Sequence, residues 1–322
     1  MKRTLAVLLI LAVCLISAFA GGSGEAAPAK PRVVATIFPE YDWARVILGD
    51  NPAGMELTLL LDKATDLHNF QPTSQDILTV STCDLFIYCG GESDGWVDDV
   101  LKHASNKDMK VICLMDVLGD AAREETVPEG AQHDHDHDHD DGEKEYDEHV
   151  WLSLKNAELF CRAICDVLCE IDPADKGVYR ANLETYTAAL EELDSGYSAL
   201  VASAKRKTLL FGDRFPFRYL AEDYGLECYA AFSGCSAETE ASFETIAFLV
   251  EKADSLDLDY IMVIEGGGTK IADTIIANSA RKDRKVLVMD SIQSVTAADL
   301  AKGASYLGKM ESNLEVLGIA LN

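Results

Sequence analysis

The chain has 322 residues, 48% of them hydrophobic and 26% charged, an ordinary globular composition with room for roughly two domains. Its 55 acidic residues against 28 basic ones give a formal net charge of -27. That balance argues against nucleic acid and anionic membrane surfaces as partners and is compatible with a cation as ligand.

Lys2 and Arg3 precede an apolar run over 5–20 that ends in Ala18-Phe19-Ala20, a small-x-small cleavage pattern. Residues 1–20 are therefore expected to be an export signal, since the run is shorter than the ~20 residues of a spanning helix. Leu11-Ala12-Val13-Cys14 loosely resembles a lipidation box, so a lipid anchor stands as a second reading. Residues 21–30 are rich in Gly, Ala and Pro and read as a flexible tether. Eight cysteines follow Cys14, with no CxxC pair among them. Cys161, Cys165 and Cys169 share one helix face and read as small buried hydrophobes. A weakly oxidising habitat and a disulfide such as Cys228 with Cys235 both stay open.

Short runs rich in Val, Ile and Leu lie at 33–38, 55–61, 84–89 and 110–115, then at 208–211, 227–232, 260–265 and 285–290. They do not alternate strictly, the pattern of strands buried on both faces of a parallel sheet. Amphipathic stretches at 95–105, 242–255 and 269–279 fall between them. This alternation predicts an α/β fold with parallel sheets. Leu183, Tyr186, Ala189, Leu190 and Leu193 form one apolar stripe in a long helical pattern over 174–205. A helix of that size is about 45 Å long. The expectation is two lobes, each a mostly parallel sheet flanked by helices, at 31–173 and 206–322, joined by one long helix with a cleft between them.

The segment 124–148 breaks the pattern: it is acidic, without apolar periodicity, and carries His133, His135, His137 and His139 alternating with aspartates. It is expected to be a disordered loop that collects cations weakly. Ligands of open α/β sheets bind beyond the carboxyl ends of the strands. His68 follows the second strand, Asp213 the fifth, Glu265 and Asp290 close the seventh and eighth, and His149 leaves the acidic loop. Imidazole with carboxylate suits zinc or manganese. Each of these residues alone is more often a loop histidine or a helix cap; their convergence on one edge makes a metal site the better reading.

Val34-Ala35-Thr36-Ile37-Phe38-Pro39, His68-Asn69-Phe70-Gln71-Pro72-Thr73 with Asp76, and His149-Val150-Trp151-Leu152 together resemble the zinc/manganese solute-binding proteins of ABC importers, the cluster A-I group. The resemblance covers nearly the whole chain from Pro31. It implies His68, His149 and Asp290 as metal ligands, a rigid helix between the lobes, and a histidine-rich insert of the zinc-preferring kind. It also implies a third ligand, histidine or glutamate, after the fifth strand. Here that stretch reads Gly212-Asp213-Arg214-Phe215-Pro216-Phe217, and Arg214 occupies the ligand position. Asp213 is the nearest substitute, with Glu240 and Glu265 as alternatives.

The expected function is capture of a divalent cation, zinc before manganese, by an exported monomer in the periplasm or at the outside face of the cytoplasmic membrane, and delivery to the permease of an ABC importer. No enzyme activity, catalytic residue or nucleic-acid partner is expected. A metal-dependent hydrolase is the rival from another class, because such sites also activate water, but no HExxH or comparable motif is present. A metal-buffering or adhesin relative of the same fold is the other rival.

Overall fold

The computed structural model describes residues 30–63, 65–127, 129–130, 145–236 and 240–322. The expected export signal, the tether as far as residue 29 and the His133–His139 tract lie outside the described residues.

Strands β1 (Arg32–Ala35), β2 (Glu56–Leu59), β3 (Leu85–Tyr88) and β4 (Lys110–Cys113) form one sheet in the order β2-β1-β3-β4. A second sheet holds β5 (Thr208–Phe215), β6 (Glu227–Ser233), β7 (Tyr260–Ile264) and β8 (Lys285–Met289) in the order β6-β5-β7-β8. Every pairing is parallel, as the unalternating apolar runs require: Val33, Val34, Ala35, Leu85, Phe86 and Ile87 are all buried. In each sheet the winding reverses beside the first strand, between β1 and β3 and between β5 and β7. Those are the points where α/β sheets open a crevice at their carboxyl edge.

Several elements end earlier or later than their sequence expectation, among them the run at 110–115, a strand only to Cys113 before the helix Leu114–Leu118. The run at 33–38 is a strand only to Ala35, because a helix starts at Phe38 with Pro39 in its first turn, where proline's fixed φ suits a helix and its missing N–H costs nothing. The fifth strand runs on to Phe215, past the 211 expected. Its register against β6 shifts between Phe211 and Arg214, so Asp213 and Arg214 belong to an irregular strand end and not to a following helix.

The long helix is Lys176–Ser203, about 42 Å by its rise. Tyr186, Leu190 and Leu193 are buried on its inner stripe together with Tyr179, Tyr197 and Val201. It touches both halves: the Asn182 side-chain amide donates to the Ile47 carbonyl (2.9 Å), and the Tyr197 hydroxyl to the Met310 carbonyl (2.6 Å). A second tie runs through residues 290–293. The Trp151 indole N–H donates to the Ser291 carbonyl, the Phe38 amide to the Gln293 carbonyl, and the Leu67 amide to Gln293 Oε1. Between these anchors Ile292 is fully buried with φ +64°, a left-handed conformation that a β-branched residue adopts only when its surroundings hold it there. No helix among the described residues is long and apolar enough to cross a membrane.

Candidate metal centre

His68 sits in a single 3-10 turn, Leu67–Asn69, after β2. Asp66 caps that turn by accepting the His68 amide (3.0 Å) and pairs with the Arg214 guanidinium of β5. Burial works against the charge on Asp66, and Arg214 outweighs it, so the carboxyl lies below its usual range. His149 directly precedes a second 3-10 turn, Val150–Leu152, whose three side chains are buried. The flanks of the acidic loop are zipped just before it: Glu124 pairs antiparallel with Tyr146, and the Asp147 amide donates to the Arg123 carbonyl (2.8 Å). The loop expected to be unstructured over 124–148 is thus ordered at both ends.

The two imidazoles face each other, with Nε2 to Nε2 at 3.2 Å. Their other nitrogens are taken. His149 Nδ1 and its backbone amide both lie 2.9 Å from Asp147 Oδ1 as donors. His68 Nδ1 lies 2.8 Å from Ser93 Oγ and 3.7 Å from Glu148 Oε2. A carboxylate on Nδ1 fixes the tautomer and turns the Nε2 lone pair outward, the usual arrangement behind a metal-bound histidine. With Zn–N bonds of about 2.05 Å, the N–N edge of a tetrahedron is roughly 3.3 Å. The observed separation therefore matches two corners of a zinc site.

His149 is buried and His68 partly buried, and the electrostatics of the pair are uneven. Burial first, and then the neighbouring His149, push the His68 ring down to about 3. Burial also opposes charge on His149, but the Asp147 hydrogen bond and carboxylate outweigh it and raise that ring. Glu148 Oε2 is buried without a hydrogen-bond partner, and burial raises that carboxyl.

The other candidates have other partners. Asp213 accepts the amides of Arg214 (2.8 Å) and Ile264 (3.1 Å). Asp290 is bound by the Lys309 ammonium and accepts the Ile292 amide (2.8 Å). Glu265 accepts the Ser291 amide and hydroxyl, and burial first and then Asp290 raise it to about 7. Glu240 is exposed and pairs with Lys270. Among the described residues, the group whose donor atoms converge is His68, His149 and Cys235, all within 4.8 Å of one another. The sequence offered Cys235 only as a disulfide partner of Cys228; both cysteines are free thiols. Its place in the turn after β6, at the carboxyl edge of the sheet, was the signal available.

Comparison with known proteins agrees with this architecture. The family model described as "ZnuA: Zinc-uptake complex component A periplasmic" matches residues 33–320. The zinc-binding lipoprotein AdcA of Streptococcus pneumoniae is 30% identical over 311 residues, covering 96% of this chain and 60% of that protein. The high-affinity zinc uptake system protein ZnuA of Bacillus subtilis is 28% identical over 319 residues, covering 96% and 95%. The chain spans 56% of the length of the Streptococcus pyogenes AdcA proteins that it also matches. Among solved structures, the Zn(II)-bound ZnuA-like domain of Streptococcus pneumoniae AdcA aligns with a TM-score of 0.70 at 26% identity, covering 91% of this chain and 99% of that one. The metal-dependent lipoprotein YcdH of Bacillus subtilis gives 0.72 at 26%, with the same coverages.

Proposed function

The chain belongs to the ZnuA family of periplasmic zinc-uptake components, and on that premise we propose that it captures one zinc ion outside the cytoplasm and hands it to the permease of an ABC importer. The observation that carries this reading is the His68–His149 pair, with Nε2 atoms 3.2 Å apart, His149 Nδ1 backed by the Asp147 carboxylate and His68 Nδ1 by the Ser93 hydroxyl. His68 and His149 are the ligands in this reading. Residues 31–173 and 206–322 are the two lobes, and the helix over 174–205 sets their spacing. Both histidines come from one chain, so a monomer suffices. Residues 1–20 serve as the export signal and 21–30 as the tether, and the His133–His139 tract gathers cations near the site. Zinc is the cargo here, and no catalysis is required of the protein. The net charge of -27 favours approach of a divalent cation.

The test is a zinc titration of metal-stripped protein against a competing chelator, followed by competition with manganese. One tight equivalent of zinc that equimolar manganese does not displace is the expected result, in keeping with the general affinity order of divalent metals. Tight binding of no divalent cation, or displacement of zinc by manganese, would reverse the assignment.

Asp147 gives a graded check. Asp147→Asn keeps the side-chain shape but removes the carboxylate that orients His149 and increases its basicity. Loss of such a partner typically costs 10–100-fold in metal affinity. A fall of about that size is expected with the fold intact, read by the same chelator competition; unchanged affinity would mean that Asp147 does not act through the ring.

A further inference from the structure

We propose that Cys235 is the third metal ligand, so that the site is a His2Cys set in which a thiolate takes the place that the fifth strand leaves without a donor. The inference rests on the metal-capture reading above and extends it to the chemistry of the site. Three independent observations support it.

The first is convergence. Cys235 contributes its sulfur to the one group of donor atoms that gathers around His68 and His149 among the described residues. The second is the build of the turn. Ser233 to Ser236 close a turn after β6, the Ser236 amide donating to the Ser233 carbonyl. Gly234 lies against the ring of His149: a Cβ there would stand 2.9 Å from Cε1, 3.0 Å from Nδ1 and 3.0 Å from the Phe215 carbonyl oxygen. Only glycine lets the backbone come this near, and that approach delivers the next residue to the imidazole pair. The Cys235 amide is in turn fixed by Glu125 Oε1 at 3.1 Å. The third observation is what stands on β5. Arg214 cannot ligate a cation; its guanidinium turns instead to the Asp66 carboxylate and the Ser236 carbonyl, bracing the same turn. The neighbouring Asp213 is engaged by two backbone amides.

A buried cysteine is by default a small apolar filler, as Cys161 and Cys165 are inside the helix Leu154–Ile171. Cys235 is only half-buried, and its sulfur lies within 4.8 Å of the donor nitrogens of both histidines. When metal enters, the thiol proton leaves to solvent as the metal–sulfur bond forms, the ordinary exchange at a cysteine ligand. A soft sulfur donor disfavours manganese, magnesium and calcium, which prefer oxygen, and retains zinc.

Cobalt(II) is the probe, titrated into the full exported chain under reducing conditions. Wild-type protein should bind one equivalent with a thiolate-to-cobalt charge-transfer band in the near ultraviolet. Cys235→Ser should lose that band and bind zinc at least roughly tenfold more weakly, the lower bound for disturbing a metal-site partner. Cys228→Ser, one strand length away on β6, should keep both. Zinc-edge X-ray absorption on the wild-type protein reads the same bond without any variant and should contain a sulfur shell near about 2.3 Å. One-to-one binding of cobalt and zinc without the band and without the sulfur shell overturns the thiolate ligand while leaving metal capture in place. Failure of the wild-type protein to bind either ion overturns both readings.

Discussion

His149→Ala is expected to lower zinc affinity by more than about 100-fold, beyond what loss of an orienting partner costs, because it removes a ligand itself. His68→Ala should do the same, since a site that has lost either imidazole keeps too few donors to hold the ion tightly against solvent. The two losses should not add: once one corner of the site is gone, the remaining ring has no partner 3.2 Å away to share a cation with. Both variants should fold. His68 lies in a one-turn 3-10 segment at the sheet edge. His149 is buried, but its truncation also frees the Asp147 carboxylate that its Nδ1 had occupied, so a modest loss of stability is expected. Chelator competition at matched protein concentration measures the affinity, and urea unfolding checks the fold. Wild-type zinc affinity in either variant would remove the histidine pair from the site.

The strands were legible because burial on both faces leaves continuous apolar runs, and the long helix because its apolar stripe recurs every three or four residues. The end of β5 beyond Phe211 was not legible. The register shift that extends this strand to Phe215 has no periodic signature; it arises where Gly212 packs so closely that a Cβ would meet the Ala272 Cα at 2.7 Å. His68 and His149 stood out as candidates because few histidines exist outside the His-Asp tract, and the structure brings their Nε2 atoms to 3.2 Å. The carboxylates could not be sorted, because their partners lie far along the chain: Lys309 for Asp290, Ser291 for Glu265, and the Ile264 amide for Asp213. Sequence position shows which side chains reach an edge, but not which of them a lysine or a backbone amide has already engaged. Cys235 was hidden for a different reason. A cysteine carries no directional signal, and its approach to His149 depends on the missing Cβ of the residue before it.

Trp151→Ala should be the most destabilising single change near the site. The indole is fully buried and lies with its ring centroid 5.1 Å from that of His149. Its N–H donates to the Ser291 carbonyl at 2.8 Å, and its own carbonyl accepts the Tyr306 hydroxyl at 2.6 Å. Tyr306 in turn donates its amide to Asp42 of the helix Phe38–Leu48. The residue is therefore a wedge joining the first sheet's layer to the 290–293 crossing and to the C-terminal helix Tyr306–Ala320. Truncation to alanine leaves a large cavity and an unpaired Ser291 carbonyl beside Ile292, whose left-handed backbone needs its surroundings intact. Losses of about 3–5 kcal/mol are typical for a buried aromatic cut to alanine. Trp151→Phe keeps most of the ring volume and removes only the indole donor, so roughly 1–3 kcal/mol is expected from the orphaned carbonyl. Urea unfolding of the metal-free proteins should rank them wild type, Trp151→Phe, Trp151→Ala. The same ranking should hold for zinc affinity, because the indole packs against His149. Saturating zinc should then recover less stability in Trp151→Ala than in the wild-type chain, since that gain grows only with the logarithm of ligand concentration over Kd. Equal recovery in the two proteins would mean that the wedge supports the fold and not the metal site.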